Sequence, residues 1–286
     1  MRVSAIVTGY NDVSSLRKNL GCVLECSFDE IILAVGGNDG TYDYVSSLGD
    51  PRLRVFFENE RIGKMPALRR AVEHISGDLT FLICSDVSFQ PETIWKALGY
   101  FDQRTGVVVP KVVPTNDRTF PTRIASAIWA VRNLHLMELE RSGKSLHGGE
   151  VLIVRSSLLK DLREVVNDDA YICLRAIELG YSARYASDIT VWNTVPETII
   201  DLIRQRKRVN FGHRQLASIN MRPVVMNDLN FRNLPLLFNI MWKVIAEDWK
   251  RIFHLPFVVG IEALSILMSK RDMRHDMDMI IWPLVG

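Results

Sequence analysis

Apolar segments of strand length alternate with amphipathic segments over the first hundred or so residues of the chain. Four of the apolar segments have the length of buried strands: Val3–Val7, Ile31–Val35, Leu53–Phe57 and Leu79–Cys84. The intervening segments Val13–Leu24 and Gly63–Ile75 repeat apolar residues at helical spacing. Strands that alternate with helices predict an α/β fold, with a parallel sheet and helices on both of its faces.

The carboxyl ends of these strands are the expected ligand site, because ligands of parallel α/β sheets bind beyond that edge. The segments Thr8–Asp12, Gly36–Thr41 and Ser85–Ser88 follow three of the strands, so we expect them around one crevice. Gly36–Thr41 is glycine-rich, but it matches neither the dinucleotide pattern nor the P-loop. A tight turn capped by Asp39 or Thr41 explains it equally well. Asp86 offers the oxygen ligand that a hard divalent cation prefers.

Two charged segments further along the chain suggest chemistry when they are taken together. Asn167–Tyr171 places adjacent carboxylates at the start of a predicted helix, Ala170–Leu179, and Arg204–Arg208 holds four cations and an amide in five residues. Separately, the carboxylates are explained as a helix cap and the cations as a solvated helix face. Together they offer a base for a hydroxyl proton and cations for a departing diphosphate.

The net charge, the cysteine spacing and the N-terminal segment each bear on what class of protein this is. The net charge is +2, from 35 basic and 33 acidic residues, so no global field indicates a nucleic-acid partner. The cysteines lack CxxC spacing, which predicts reduced thiols in a cytoplasmic protein. The N-terminal segment enters a strand without a long apolar region, so no signal peptide is predicted.

Six motifs occur in an order that resembles the family two glycosyltransferases of GT-A fold, nearest the branch of the cellulose and hyaluronan synthases. They are Ala5–Asp12, Asn38–Thr41, Gly63–Leu68, Ser85–Ser88, Asp168-Asp169 and Gln205–Val209. The resemblance implies a GT-A catalytic domain over residues 1–220, built on a Rossmann-like nucleotide-binding sheet with flanking helices. Residues 221–286 would form a helical C-terminal appendage.

The resemblance also implies roles for individual residues. Asp86 matches the second Asp of the Asp-x-Asp motif, which binds Mg²⁺ or Mn²⁺ on the donor diphosphate. Asp168 and Asp169 match the family's catalytic acidic pair, with Asp169 as the base. The residues assigned to the nucleotide sugar are Tyr10, Asn11, Asp12, Asp39, Lys64, Asp86, Gly148, Gly149, Gln205 and Arg208.

The implied reaction is an inverting transfer of sugar from a nucleotide-sugar donor to a glycan or polyprenyl-linked acceptor, in polysaccharide or glycolipid biosynthesis. Asp169 would deprotonate the acceptor hydroxyl, and the metal would offset charge on the diphosphate. Arg208, with Arg204 or Arg206, would donate to the same oxygens. His213 is close enough in sequence to join them, although a structural role is the commoner one for such a histidine.

The chain departs from the family pattern at several positions. Cys84 stands where the first Asp of Asp-x-Asp is expected, Val35 and Gly36 replace an acidic residue, and Val209 replaces a Trp of the processive members. Cys84 favours one alternative, a non-catalytic protein that binds nucleotide sugars or glycans. A nucleotidyltransferase is a second alternative, but Thr8–Asp12 lacks the cation that its phosphate loop needs.

The C-terminal region has two apolar runs, Leu234–Ile245 and Ile252–Met268, and the second is too interrupted to span a bilayer. It is explained either by a helical appendage packed on the catalytic domain or by a helix in the membrane interface, peripheral on the cytoplasmic face. The residues that favour the interface are aromatic and basic: Trp242, Lys243, Trp249, Lys250, Arg251, Phe253 and Phe257. A further buried helical face is predicted from Met273, Met277, Ile280 and Ile281.

Overall fold

The computed structural model of the chain describes residues 1–144, 148–223 and 233–275. These residues contain the strands β1 (Val3–Tyr10), β2 (Glu30–Gly36), β3 (Leu53–Glu58), β4 (Leu79–Cys84), β5 (Val87–Phe89), β6 (Thr105–Pro114), β7 (Val151–Arg155) and β8 (Ser182–Asn193). The strands form one sheet in the order β3-β2-β1-β4-β7-β6-β8-β5. All four predicted strands are therefore present, as β1 to β4.

Helices lie between the predicted strands, as the sequence pattern indicates, and further helices follow in the rest of the described chain. They are α1 (Val13–Leu24), α2 (Thr41–Ser46), α3 (Lys64–Val72), α4 (Thr93–Leu98), α5 (Phe120–Arg141), α6 (Asp168–Glu178), α7 (Ile199–Ser218), α8 (Leu234–Glu247) and α9 (Leu255–Arg274). Short 3-10 helices cover Ser156–Leu159 and Trp249–Phe253. The helix α6 begins two residues earlier than predicted, so both carboxylates of the acidic pair lie in its first turn.

The prediction of parallel strands is confirmed for β1 to β4, but the sheet as a whole is mixed. Strands β3, β2, β1 and β4 are parallel, but β7 lies antiparallel between β4 and β6, and β5 is antiparallel to β8. Local periodicity identifies a strand but carries no information on its direction beside a partner about seventy residues away, as β7 is from β4.

Apolar side chains pack on both faces of the sheet. Leu16 and Leu20 of α1 pack on one face, while Leu68 of α3 and Tyr171 of α6 pack on the other. The helices thus hold the carboxyl ends of β1 and β4 side by side, and α3 and α6 begin at that edge.

The C-terminal helices pack on α5 and α7. Val258 and Ile261 of α9 contact Ile124 and Ile128 of α5, and α8 buries Ile240 against the same helix. Within the described ranges, no helix is both long enough and apolar enough to cross a membrane.

Polar contacts join α9 to α7. Arg206 Nε lies 2.5 Å from Glu262 Oε1, and Lys207 Nζ lies 2.7 Å from Asp272 Oδ2. The helical C-terminal region is confirmed, and the domain boundary at residue 220 stays a prediction. Of the last predicted helical face, Met273 packs beside Val166 and Phe211; Met277, Ile280 and Ile281 lie outside the described residues.

Candidate active site

A cavity of about 380 Å³ lies at the carboxyl ends of β1 and β4, between the first turns of α3 and α6 and one face of α7. Its volume is in the range of small-molecule sites. Nine of the predicted site residues line it: Tyr10, Asp12, Lys64, Asp86, Gly149, Asp168, Asp169, Gln205 and Arg208. Segments that are distant in sequence therefore meet at one place, as the motif order predicts.

Asn11 and Asp39 do not line this cavity, and their side chains fasten the loops behind it. Asn11 has a φ of 53°, and its Oδ1 accepts a hydrogen bond from the Asn38 backbone N–H at 2.8 Å. Asp39 accepts from the Val13 N–H at 2.9 Å and from the Thr41 hydroxyl at 2.6 Å. Their contact with a nucleotide stays a prediction, and the turn-and-cap interpretation accounts for the contacts seen.

Lys64, at the start of α3, joins Asp168 of the acidic pair to Cys84 at the end of β4. Its Nζ lies 2.8 Å from Asp168 Oδ2 and donates to Cys84 Sγ at 3.3 Å. Burial by itself would lower the pKa of Lys64, but the Asp168 carboxylate more than offsets burial and the pKa is raised. The lysine is therefore charged, and Asp168 is bound to it.

Asp169 is held differently from its neighbour. Its Oδ2 lies 3.7 Å from Arg132 Nη2, a cation in the middle of α5 that also donates to the Gly148 carbonyl. A Cβ on Gly148 would lie 2.1 Å from the same carboxylate oxygen, so Gly148 does not line the cavity but leaves room for Asp169. Burial, and then the charge of Asp168, raise the pKa of Asp169, while Arg132 opposes them. A raised pKa makes this carboxylate a better proton acceptor near neutral pH.

Asp86 has a neighbour that the sequence motifs do not indicate. Ligand atoms of Cys84, Asp86 and Glu150 lie within 4.8 Å of one another. Burial, followed by the charge of Glu150, raises the pKa of Asp86 to about 7, and burial raises the pKa of Glu150 as well. Half-buried carboxylates that lie this close together fit a divalent cation, whose charge would stabilise them both.

The cations of the Arg204–Arg208 segment point in different directions around α7. Gln205 and Arg208 face the cavity, where Arg208 Nη2 also donates to the Val166 carbonyl at 3.4 Å. Arg204 pairs with Asp201 on its own helix at 3.0 Å, and Arg206 turns to α9. The expectation that either would assist Arg208 is wrong, because neither lines the cavity and their guanidinium groups are held by Asp201 and Glu262.

A close contact joins α7 to the turn that carries the acidic pair. A Cβ on Gly212 would lie 2.4 Å from Asn167 Cγ, and Asn167 Nδ2 donates to the Val209 carbonyl at 2.9 Å. Asn167 is the residue immediately before α6. The Asn167 side chain therefore packs directly on the backbone of α7 and fastens the turn before α6 to that helix.

Two residues of the cavity wall, Arg132 and Glu150, were not predicted from the sequence. Arg61, a cation before α3 that suits a phosphate, and His213 line the cavity with them. Burial lowers the pKa of His213 to about 3, so its imidazole is neutral and gives no cationic contact to phosphate. A charge inside the apolar stripe of α5 is a sequence signal for Arg132, and a carboxylate directly after a glycine pair is one for Glu150.

The known proteins to which this chain is similar are glycosyltransferases. The sequence profile described as "Glycosyltransferase like family 2" matches residues 1–212. An N-acetylglucosaminyltransferase of Rhizobium sp. (strain N33) is 26% identical over 176 residues, which are 56% of this chain. The match spans only 39% of that protein's length.

Two solved structures share the fold at low sequence identity. A mannosyltransferase from Pyrobaculum calidifontis in complex with GDP-Man and Mn²⁺ superposes with a TM-score of 0.57 at 19% identity, over 94% of this chain and 75% of that one. Residues 1–349 of S. aureus TarS in complex with UDP-GlcNAc give a TM-score of 0.51 at 15% identity, over 98% and 93% of the two chains. These similarities confirm the predicted GT-A fold.

Proposed function

The chain belongs to glycosyltransferase family 2, and from that premise we propose that it transfers a sugar from a nucleoside diphosphate sugar to an acceptor hydroxyl, with inversion at the anomeric carbon. One observation carries the proposal. A single cavity brings together the half-buried Asp169 carboxylate, the Asp86 carboxylate and the Arg208 guanidinium. Membership of this family argues against the nucleotidyltransferase alternative.

In the proposed reaction each group of residues has a separate task. Asp169 accepts the acceptor's hydroxyl proton as that oxygen attacks the anomeric carbon from the side opposite the diphosphate. Arg208 and Gln205 donate hydrogen bonds to the departing diphosphate oxygens, which gain charge as the glycosidic bond breaks. Asp168 keeps Lys64 charged and in position. A Mg²⁺ or Mn²⁺ ion held by Asp86 would supply further charge stabilisation on the diphosphate.

The donor is identified by a screen of nucleotide sugars. UDP-GlcNAc and GDP-Man come first, because the similar structures hold them. A donor at 100 times its dissociation constant is expected to stabilise the folded chain by about 2.7 kcal/mol, visible as a raised Tm. Slow hydrolysis of the same donor should accompany the stabilisation. If no donor raises the Tm, the proposal fails; stabilisation without hydrolysis or transfer favours the non-catalytic binding protein.

The C-terminal helices support a second part of the proposal, that the enzyme works on the cytoplasmic face of a membrane and uses a polyprenyl-linked acceptor. Trp242, Trp249 and Phe253 are 71%, 63% and 63% exposed. Aromatic rings beside cations such as Lys250 are typical of side chains at the lipid headgroups. Lys243 is less available to lipid headgroups than the sequence predicts, because its Nζ pairs with Glu138 of α5 at 2.8 Å.

Replacing Trp242, Trp249 and Phe253 together with Ser is expected to reduce partitioning onto anionic vesicles. The exposed rings contribute little to the core, so circular dichroism and Tm should change little. Trp95→Ser is the matched control, since Trp95 is 66% exposed on α4, outside this surface. Partitioning of the triple variant equal to that of the unaltered chain would contradict the membrane proposal, and unfolding would indicate a packing role instead.

A further inference from the structure

Glu150 lies directly across the sheet from the residue that departs from the Asp-x-Asp motif. Strands β4 and β7 are antiparallel, with Leu79 opposite Arg155 and Ile83 opposite Val151. One further step in this register places Glu150 opposite Cys84. Cross-strand neighbours share one face of the sheet, so a side chain at 150 reaches the same space as a side chain at 84.

The carboxylates of Asp86 and Glu150 are also available to a ligand. Both line the cavity, and neither has an ion pair or a hydrogen bond to another residue within the described part of the chain. The nearest lysine, Lys64, is occupied by Asp168 at 2.8 Å and by the Cys84 sulfur at 3.3 Å. Carboxylates that are withdrawn from bulk water are normally paired or bind a metal, and these two, each half-buried, face the cavity together.

We propose that Glu150 provides the second carboxylate of a divalent-cation site with Asp86, in the place of the aspartate that Cys84 replaces. The inference rests on the proposed function, because it extends the metal site of the same donor cavity. Two carboxylates offer hard oxygen ligands, which suit Mg²⁺ and Mn²⁺. The thiol of Cys84 accepts the Lys64 hydrogen bond and is not a ligand of the ion.

The test measures Mn²⁺ binding directly, by electron paramagnetic resonance of free Mn²⁺ in titrations with and without UDP or GDP. Glu150→Gln and Asp86→Asn are each expected to weaken Mn²⁺ binding on the order of tenfold or more. Cys84→Ser and the exposed control Glu178→Gln should bind as the unaltered chain does. The double variant C84D/E150Q returns a carboxylate to the same space from the facing strand, so its affinity should recover.

Glu150→Gln with unchanged Mn²⁺ affinity would overturn the proposal, and so would failure of the double variant to recover affinity while it keeps the Tm of the unaltered chain. Loss of affinity in Cys84→Ser would assign the site to the thiol, with a preference for softer ions. Because the titration needs no sugar transfer, the two proposals fail separately. Mn²⁺ binding without transfer contradicts the proposed reaction and leaves the metal site, whereas transfer without Mn²⁺ binding contradicts the metal site of Asp86 and Glu150 and leaves the proposed reaction.

Discussion

Replacing Asp169 with Asn is expected to abolish sugar transfer while leaving donor affinity nearly unchanged. The substitution keeps the shape of the side chain beside Arg132 but removes the proton acceptor, which typically costs on the order of 10²–10⁴ in rate. Transfer is measured with the donor found in the screen, and donor affinity by thermal stabilisation. In the unaltered enzyme, activity should fall as pH decreases through the pKa of Asp169, which burial raises above that of an ordinary aspartate.

Two further variants make this result specific. Asp117→Asn lies on the surface and should transfer at the normal rate. Asp168→Asn removes the partner of Lys64, so it should change donor binding and Tm as well as rate. Full activity of Asp169→Asn would exclude Asp169 as the base and assign that role to another residue, with Asp168 the first candidate.

Replacing Arg208 with Ala is the second change with a large expected effect. Its guanidinium faces the cavity from α7, where the departing diphosphate is expected, and loss of one such donor costs on the order of 10²–10³ in rate. The measurement is kcat for transfer together with the affinity for the free nucleoside diphosphate. We expect Arg208→Lys to recover only part of the rate, since lysine lacks the planar donor pair.

Arg204→Ala is the matched control, because Arg204 is on the same helix four residues away and pairs with Asp201. It should keep kcat within a factor of about two, the range expected of surface substitutions. Equal losses in the two variants would contradict the directional arrangement of α7, and an unchanged Arg208→Ala would remove this residue from the mechanism.

Periodicity was sufficient to predict β1 to β4 and the cavity edge, because parallel strands joined by short helices follow from local alternation alone. The order of the motifs also predicted that Asp86, Asp169 and Arg208 would share one cavity, and all three line it. Their roles remain predictions until the variants above are measured.

Other features depend on long-range pairing, which local patterns do not encode. Glu150 reaches Cys84 only because β7 inserts antiparallel beside β4. Arg204 and Arg206 face away from the cavity. Their directions depend on how α7 is rotated against α9, where Glu262 pairs with Arg206. Asp39 is exposed and does not line the cavity, because its carboxylate accepts hydrogen bonds from the Thr41 hydroxyl and from the more distant Val13 N–H.

The contact between Gly212 and Asn167 has a consequence for the rate of the reaction. Because the Asn167 side chain packs on the backbone of α7 at Gly212 and donates to the Val209 carbonyl, the turn that carries the proposed base is fastened to the helix that carries Arg208 before any substrate arrives. An in-line displacement needs those two groups on opposite sides of one carbon atom. The ordering entropy of that alignment is then lost when the chain folds, and the bound substrates do not lose it again at each turnover.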